Sequence, residues 1–186
     1  MITNKARSLS SADHIAHSLK TGMEGEATFI SMCTFMGIDC VPASQEQQFK
    51  HVDFIIGGNI KVDVKGFKRS HEMGYAIIEV KNVQGNAGWC SESSEADMIA
   101  FDMGMFYHIV PKRWLLNFVR NKYKSQKNKS TITASKMPPY KDLLYRLYQR
   151  QGRQDLMMVF PSHDRLGWCM TFLYLFCASM HSVHNL

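Results

Sequence analysis

Near the N-terminus apolar residues recur with helical spacing, and from about Ile38 onward they alternate with polar ones at strand spacing. Ser11 is placed to cap a short helix that turns Ile15 and Leu19 inward and ends by Gly22. A second helix is predicted from about Met23 to Met36, stopped by Gly37. Within it Phe29, Ile30, Cys33 and Gly37 lie at helical offsets from Glu26. Glu26 therefore falls on the inward stripe, while Glu24 projects with Ala27, Thr28 and Ser31. A carboxylate aimed at a core needs a metal or a lysine as partner; one in a first helical turn is equally well served by the helix dipole.

Ile38 to Ala43 reads as a first strand, and Ser44 to Lys50 as a loop. The next stretch, HVDFIIGGNIKVDVK from His51 to Lys65, reads as a β-hairpin. A three-residue loop of Gly57, Gly58 and Asn59 sets Ile56 against Ile60, Phe54 against Val62 and Val52 against Val64, so one face is apolar. Asp53 then opposes Asp63 on the other face, with Lys65 on the same side. A two-residue loop would scatter both sets across both faces.

Beyond the hairpin, Tyr75 to Asn82 is a strand with Ile77, Glu79 and Lys81 on one face and Ile78 and Val80 on the other. Met98 to Met103 and Phe106 to Val110 are strands around Gly104 that close the sheet. Pro111 opens a helix over Trp114 to Tyr123 with Leu115, Phe118 and Val119 inward. Ser125 to Pro139 has almost no apolar content and reads as a basic loop. Tyr140 to Gln151 returns to helix, with Leu143, Leu144 and Leu147 inward and Arg146 and Arg150 outward. Asp155 to Phe160 reads as a strand, and Trp168 to Cys177 as a strand or a buried helix.

At 186 residues the chain is long enough for one domain with a substantial core. Five cysteines without CxxC spacing suggest reduced thiols and an intracellular, cytoplasmic protein. No signal-peptide layout begins the chain, and the longest apolar run, Trp168 to Met180, is too short to span a bilayer, so no membrane partner is expected. The net charge of +6 is uneven: Lys112 to Arg153 holds twelve Lys or Arg and a single acid, Asp142. Such a basic segment on a mildly acidic body suggests a polyanionic partner. Cys177, His181 and His184 share a helical face but lack a fourth zinc ligand. No phosphate-cradling glycine loop, dinucleotide fingerprint or internal repeat is present.

Candidate chemistry centres on the hairpin. Two aspartates directly opposed on paired strands repel, and a divalent cation between them reverses the sign. Hard oxygen ligands open to water suit Mg2+ or Mn2+. A solvated sheet face with incidental charges is the competing reading. The acid-x-Lys tripeptide does not separate the two, since roughly one is expected by chance in such a composition and the chain has two, Asp63-Val64-Lys65 and Glu79-Val80-Lys81.

The order of a helix with an inward glutamate, a strand, a strand with aspartate and a strand with acid-x-Lys resembles the PD-(D/E)XK nuclease superfamily, which includes type II restriction enzymes, Holliday junction resolvases and phage endonucleases. The likeness covers about Gly22 to Lys65 and continues more loosely to about Pro111. Val52 stands where the motif has proline, and Asp63 where glutamate is more usual. The segment GNAGWCSESSEADMIAF resembles phage-type members, with Trp89 a core or loop anchor.

The resemblance implies an α/β, restriction-endonuclease-like fold. A mixed sheet flanked by helices would form a nuclease core over 1–111, and 112–186 a basic helical and mixed extension packed on the same domain. It implies a Mg2+- or Mn2+-dependent deoxyribonuclease, an endonuclease in the first instance, with a homodimer among the expected assemblies. Glu26, Asp53 and Asp63 would hold metal, Lys65 would be the motif lysine, and Glu79 would add a further carboxylate. DNA contacts are expected from Lys68, Arg69, Lys112, Arg113, Lys122, Lys124, Lys127 and Lys129. A second register, with Asp63 as first acid and Glu79 and Lys81 as the second element, shares Asp63 with the first. A non-catalytic nucleic-acid-binding protein of this fold and an RNA-directed nuclease remain open.

Overall fold

The computed structural model describes residues 11–68, 71, 73–125, 131–135, 138–161 and 171–173. It is a mixed α/β structure built on two sheets. Helix α1 (Ser11–Phe35) is followed by strand β1 (Cys40–Pro42), helix α2 (Gln45–Phe49) and strands β2 (Phe54–Ile56), β3 (Ile60–Lys65), β4 (Tyr75–Lys81), β5 (Met98–Asp102) and β6 (Phe106–Pro111). Helix α3 (Lys112–Ser125), strand β7 (Ile132–Ala134), helix α4 (Tyr140–Leu143) and strands β8 (Leu147–Arg150), β9 (Leu156–Pro161) and β10 (Thr171–Leu173) complete the order. The larger sheet runs β1-β2-β3-β5-β6-β10, and the smaller runs β4-β9-β8-β7.

The hairpin takes the register that its pattern predicts. Ile56 pairs with Ile60 and Phe54 with Val62, with Gly57 and Gly58 both at positive φ in the loop. Phe54, Val62 and Val64 bury one face against Phe29, Met32 and Cys33 of α1. Val52 departs from the expected pairing. The chain leaves α2 by a left-handed turn at His51 (φ 60°), with His51 N–H bonded to Gln48 O and Val52 N–H to Gln47 O, both at 3.0 Å. Val52 is thereby drawn out of the ladder and into the core on the opposite side of the sheet.

That opposite core holds Ile99, Phe101 and Val110 of the larger sheet, Leu115, Leu116 and Val119 of α3, and Ala76, Ile78, Met158 and Phe160 of the smaller sheet. The layers are therefore α1, the larger sheet, and then α3 with the smaller sheet. The parallel pairing of β3 with β5, Asp63 beside Ile99 and Lys65 beside Phe101, sets the end of β3 at the middle of the larger sheet.

Other elements differ from expectation. The two N-terminal helices are one, passing through Gly22 and ending at Gly37 (φ 67°), where Ile38 N–H bonds to Cys33 O. Ser11 is itself helical. The Ser44–Lys50 loop contains α2, whose capping box joins Ser44 and Gln47 reciprocally. β4 lies outside the larger sheet and pairs antiparallel with β9. The basic stretch after Ser125 contains β7, parallel to β8. The helix expected over Tyr140 to Gln151 stops after Leu143. Tyr145 takes φ 58° there, and Leu147 and Tyr148 pair with Met158 and Met157 as strand instead. Residues beyond 111 thus supply strands to both sheets. Cys177, His181 and His184 lie outside the described residues, as does most of the segment from Trp168 to Cys177. Cys33, Cys40 and Cys90 are free thiols. Among the described residues no helix is long and apolar enough to cross a membrane.

Helix α1 sits on β3 through two glycines. A Cβ on Gly25 would lie 2.7 Å from Gly66 Cα, and one on Gly66 would collide with the Thr21 carbonyl. Tyr107 adds a hydrogen bond from its hydroxyl to Gly25 O at 2.7 Å. Gly66→Ala should therefore destabilise the fold by about 1–3 kcal/mol. Gly22→Ala, in the same helix with open space around it, should stabilise by up to about 1 kcal/mol. Urea denaturation of both variants checks this, and equal midpoints would refute the close packing.

Candidate active site

Opposed strands place the site's first two carboxylates. Asp53 immediately precedes β2, and its N–H bonds to Val62 O at 2.8 Å, which continues the ladder toward Asp63. Asp53 Oδ2 accepts the Val64 N–H at 2.7 Å. Continuing the register of Phe54 with Val62 sets Asp53 opposite Asp63, and strand alternation puts both on the face away from α1. Asp63 is 2% exposed, its Oδ1 stands 2.6 Å from Lys65 Nζ, and its Oδ2 has no hydrogen-bond partner among the described residues. Burial outweighs the attraction of Lys65, and Asp53 adds repulsion, so the Asp63 carboxyl is pushed up to about 7.

Lys65 is fixed from its other side by Trp89, whose ring centre lies 5.0 Å from Nζ. Trp89 owes its position to Gly88, which packs directly on the Glu79 carbonyl, and to bonds from Gly88 N–H to Val80 O and Cys90 N–H to Glu79 O. The indole also packs edge-on against Phe101 at 5.8 Å. Trp89 is thus an anchor in the core that holds the lysine.

Glu26 and Glu79 approach from opposite layers. The Gly25–Gly66 contact carries half-buried Glu26 to the end of β3. Burial raises its carboxyl, Asp53 raises it further, and Lys65 opposes the shift. Glu79, on β4 beside a register shift, is raised by burial against the pull of Lys65 and Lys68. The second register fails as a hairpin, because β3 and β4 belong to different sheets and Lys81 is exposed. Glu79 nevertheless enters the electrostatic neighbourhood of Lys65.

The sequence pattern did not single out His51. Half-buried, it is held below its ordinary pKa by burial and then by Lys65, with Asp53 opposing. Its signal was local: a histidine occupies the helix-ending position where glycine is usual.

The expected DNA-contacting cations have mixed fates. Lys68 is exposed beside the site, whereas Arg69, Lys127 and Lys129 lie outside the described residues. Arg113 and Lys124 are exposed on α3. Lys112 donates to Ser94 O, and Lys122 lies 4.5 Å above the Tyr145 ring, so both are tied to the protein. A cleft of about 520 Å3 between residues 92–97 and α3 lies away from the carboxylates. Two of its acids are paired, Glu92 with Arg120 at 2.5 Å and Glu95 with Lys50 and Lys61.

Comparison with family models, curated proteins and solved structures returned no match. The chemistry of the residues alone bears on function. Hard oxygen donors, an unpartnered buried carboxylate oxygen and an adjacent lysine fit a divalent cation in kind. Among the described residues, however, no three His, Cys, Asp or Glu side chains are grouped as a ligand set.

These shifts set a pH dependence. Folded Asp63 keeps its proton up to about pH 7, against an ordinary value of 3.8. The folded state thus binds more protons across that window and loses stability as pH rises through it. Buried His71, held down to about 4 by burial, acts in the opposite sense, so a difference measurement is needed. In EDTA, the stability of Asp63→Asn relative to wild type should increase from pH 5 to pH 8 by roughly 1–4 kcal/mol. A difference independent of pH, measured by chemical denaturation, would contradict the assigned burial of charge.

Proposed function

We propose that the chain is a metal-dependent nuclease that hydrolyses DNA phosphodiester bonds, related to the restriction-endonuclease-like enzymes. The observation that carries the proposal is the opposed pair Asp53 and Asp63 with Lys65 bonded to one oxygen of Asp63 and the other oxygen left without a partner. The order of α1 with Glu26, an antiparallel β1-β2-β3 meander and a parallel β5 supports the same reading. Placement of the aspartates on one face disfavours a non-catalytic relative, for which nothing would require their repulsion to be kept.

Asp53 and Asp63 would hold Mg2+ or Mn2+, with Glu26 completing the shell or positioning a second ion. When bound, the cation lowers the pKa of water and neutralises phosphate charge. The protein's own groups do the rest. Asp63, once its carboxylate is engaged, releases Lys65 to orient the attacking water and stabilise charge growing on the phosphate. Trp89 keeps that ammonium from swinging away, and Glu79 balances it between turnovers. Lys68 supplies a backbone contact that carries no sequence information.

Cleavage of plasmid, linear, single-stranded and four-way-junction DNA, and of RNA, is to be assayed with Mg2+, Mn2+ or EDTA. Asp53→Ala and Asp63→Ala should each abolish cleavage while DNA affinity stays within a few-fold. Lys65→Ala should slow it by about 100-fold or more. Full activity in Asp63→Ala would refute the site. Full activity in Asp53→Ala alone would restrict the site to Asp63, Lys65 and Glu79.

A further inference from the structure

Glu26 reaches the site on α1, so its placement depends on where that helix stands along and around its own axis. A slide by one residue is about 1.5 Å, and a ligand set tolerates only about 0.5 Å or 10–20°. The contact of Gly25 with Gly66 fixes how near the helix lies to the sheet. Two glycines have no side chains with which to stop it sliding or turning.

The sheet supplies that stop from three adjacent strands. Lys65 of β3 pairs with Phe101 of β5, and Asp102 of β5 pairs with Tyr107 of β6. The next row of the ladder therefore sets Gly66, Asp102 and Tyr107 side by side. Phe101 packs in the core toward the smaller sheet and Tyr107 in the core toward α1, so this row faces the helix. All three border Gly25. A Cβ there would lie 2.7 Å from Gly66 Cα and 3.7 Å from Asp102 Oδ2, and the Tyr107 hydroxyl donates to Gly25 O at 2.7 Å. Asp102 is itself held, since its Oδ1 accepts the Gly104 N–H at 2.8 Å.

Packing alone does not call for the Tyr107 hydroxyl. The buried ring meets Phe29 of α1 edge-on at 5.2 Å, a contact that phenylalanine would keep without bringing a polar atom into the core. Gly25 O also belongs to the helix's own ladder, with a second lone pair to spare. What the hydroxyl adds is direction. A hydrogen bond weakens steeply once bent, so this one holds α1 at a single height and rotation. Gly25 is the residue next to Glu26, and Gly66 the residue next to Lys65.

We infer that Tyr107 is a positioning residue of the proposed nuclease site: its hydroxyl, with Asp102 and Gly66 beside it, seats Gly25 and so holds Glu26 at the site end of β3. The inference rests on the nuclease reading and on the part that Glu26 has in it.

The test follows Mn2+ binding by electron paramagnetic resonance, single-turnover cleavage of DNA in Mg2+, and DNA affinity in Ca2+, for Tyr107→Phe, Glu26→Gln and the double variant. Glu26→Gln should weaken Mn2+ binding and slow cleavage, each by about tenfold or more. Tyr107→Phe should lower both by about three- to tenfold and leave DNA affinity within about twofold. Added to Glu26→Gln, it should change neither by more than about twofold, a dependence that general loss of stability would not produce. Wild-type Mn2+ affinity and rate in folded Tyr107→Phe, or equal losses with and without Glu26, would overturn the inference and leave the nuclease reading intact. So would a Glu26→Gln protein that binds Mn2+ and cleaves as the wild type does. A Tyr107→Phe chain that fails to fold would make the hydroxyl a stability element and also overturn it. A wild type that neither binds Mn2+ nor cleaves DNA or RNA would remove the nuclease reading and this inference together.

Discussion

Burial of the Asp63 carboxyl opposite Asp53 is the constraint around which the site is arranged. A three-residue loop fixes the register that opposes them, and β5 buries Asp63 by pairing alongside it. Left alone, the arrangement would favour protonation, and the Asp63 carboxyl does rise to about 7. Lys65 offsets part of this from one side and Trp89 holds Lys65 from the other. The glycine contact between α1 and β3 then brings Glu26 into the same field. Each neighbour adjusts to a charge that the hairpin geometry has already committed.

The layers explain why the site draws on distant parts of the chain. Val62 and Val64 face α1, so Asp63 and Lys65 must face the smaller sheet. That sheet brings Glu79 into the field of Lys65. The basic segment after residue 111 is part of the framework of the fold, since it supplies strands to both sheets. Several of its charges serve the fold: Lys112 bonds a carbonyl and Lys122 covers aromatic rings.

Local pattern made the hairpin legible. Alternation and a glycine-rich loop specify a register by themselves, and both aspartates follow from it. Glu26 was legible through helical periodicity, but the Gly25–Gly66 contact that places it depends on two surfaces meeting. The pairing of β4 with β9 spans too much sequence for periodicity to reveal, and so Glu79 appeared as a neighbour in the wrong sheet. The leucines from 143 to 147 fit a helix equally well, and only the partners Met157 and Met158 decide for strand. The turn at Val52 was signalled by Ser44 and Gln47, a capping box in a stretch that reads as loop.

Electron paramagnetic resonance of Mn2+ titrated into the metal-free protein at pH 7.5 tests the opposed carboxylates most directly. Binding would quench the free-ion signal and reveal the number of ions held in the absence of substrate. The wild type should bind one or two ions saturably. Asp53→Asn and Asp63→Asn should each weaken it by at least about tenfold, since each removes one charged ligand from a set of two or three. Wild-type protein that leaves the Mn2+ signal unchanged, or variants that bind it equally well, would contradict the claim that these aspartates are opposed in order to share a cation.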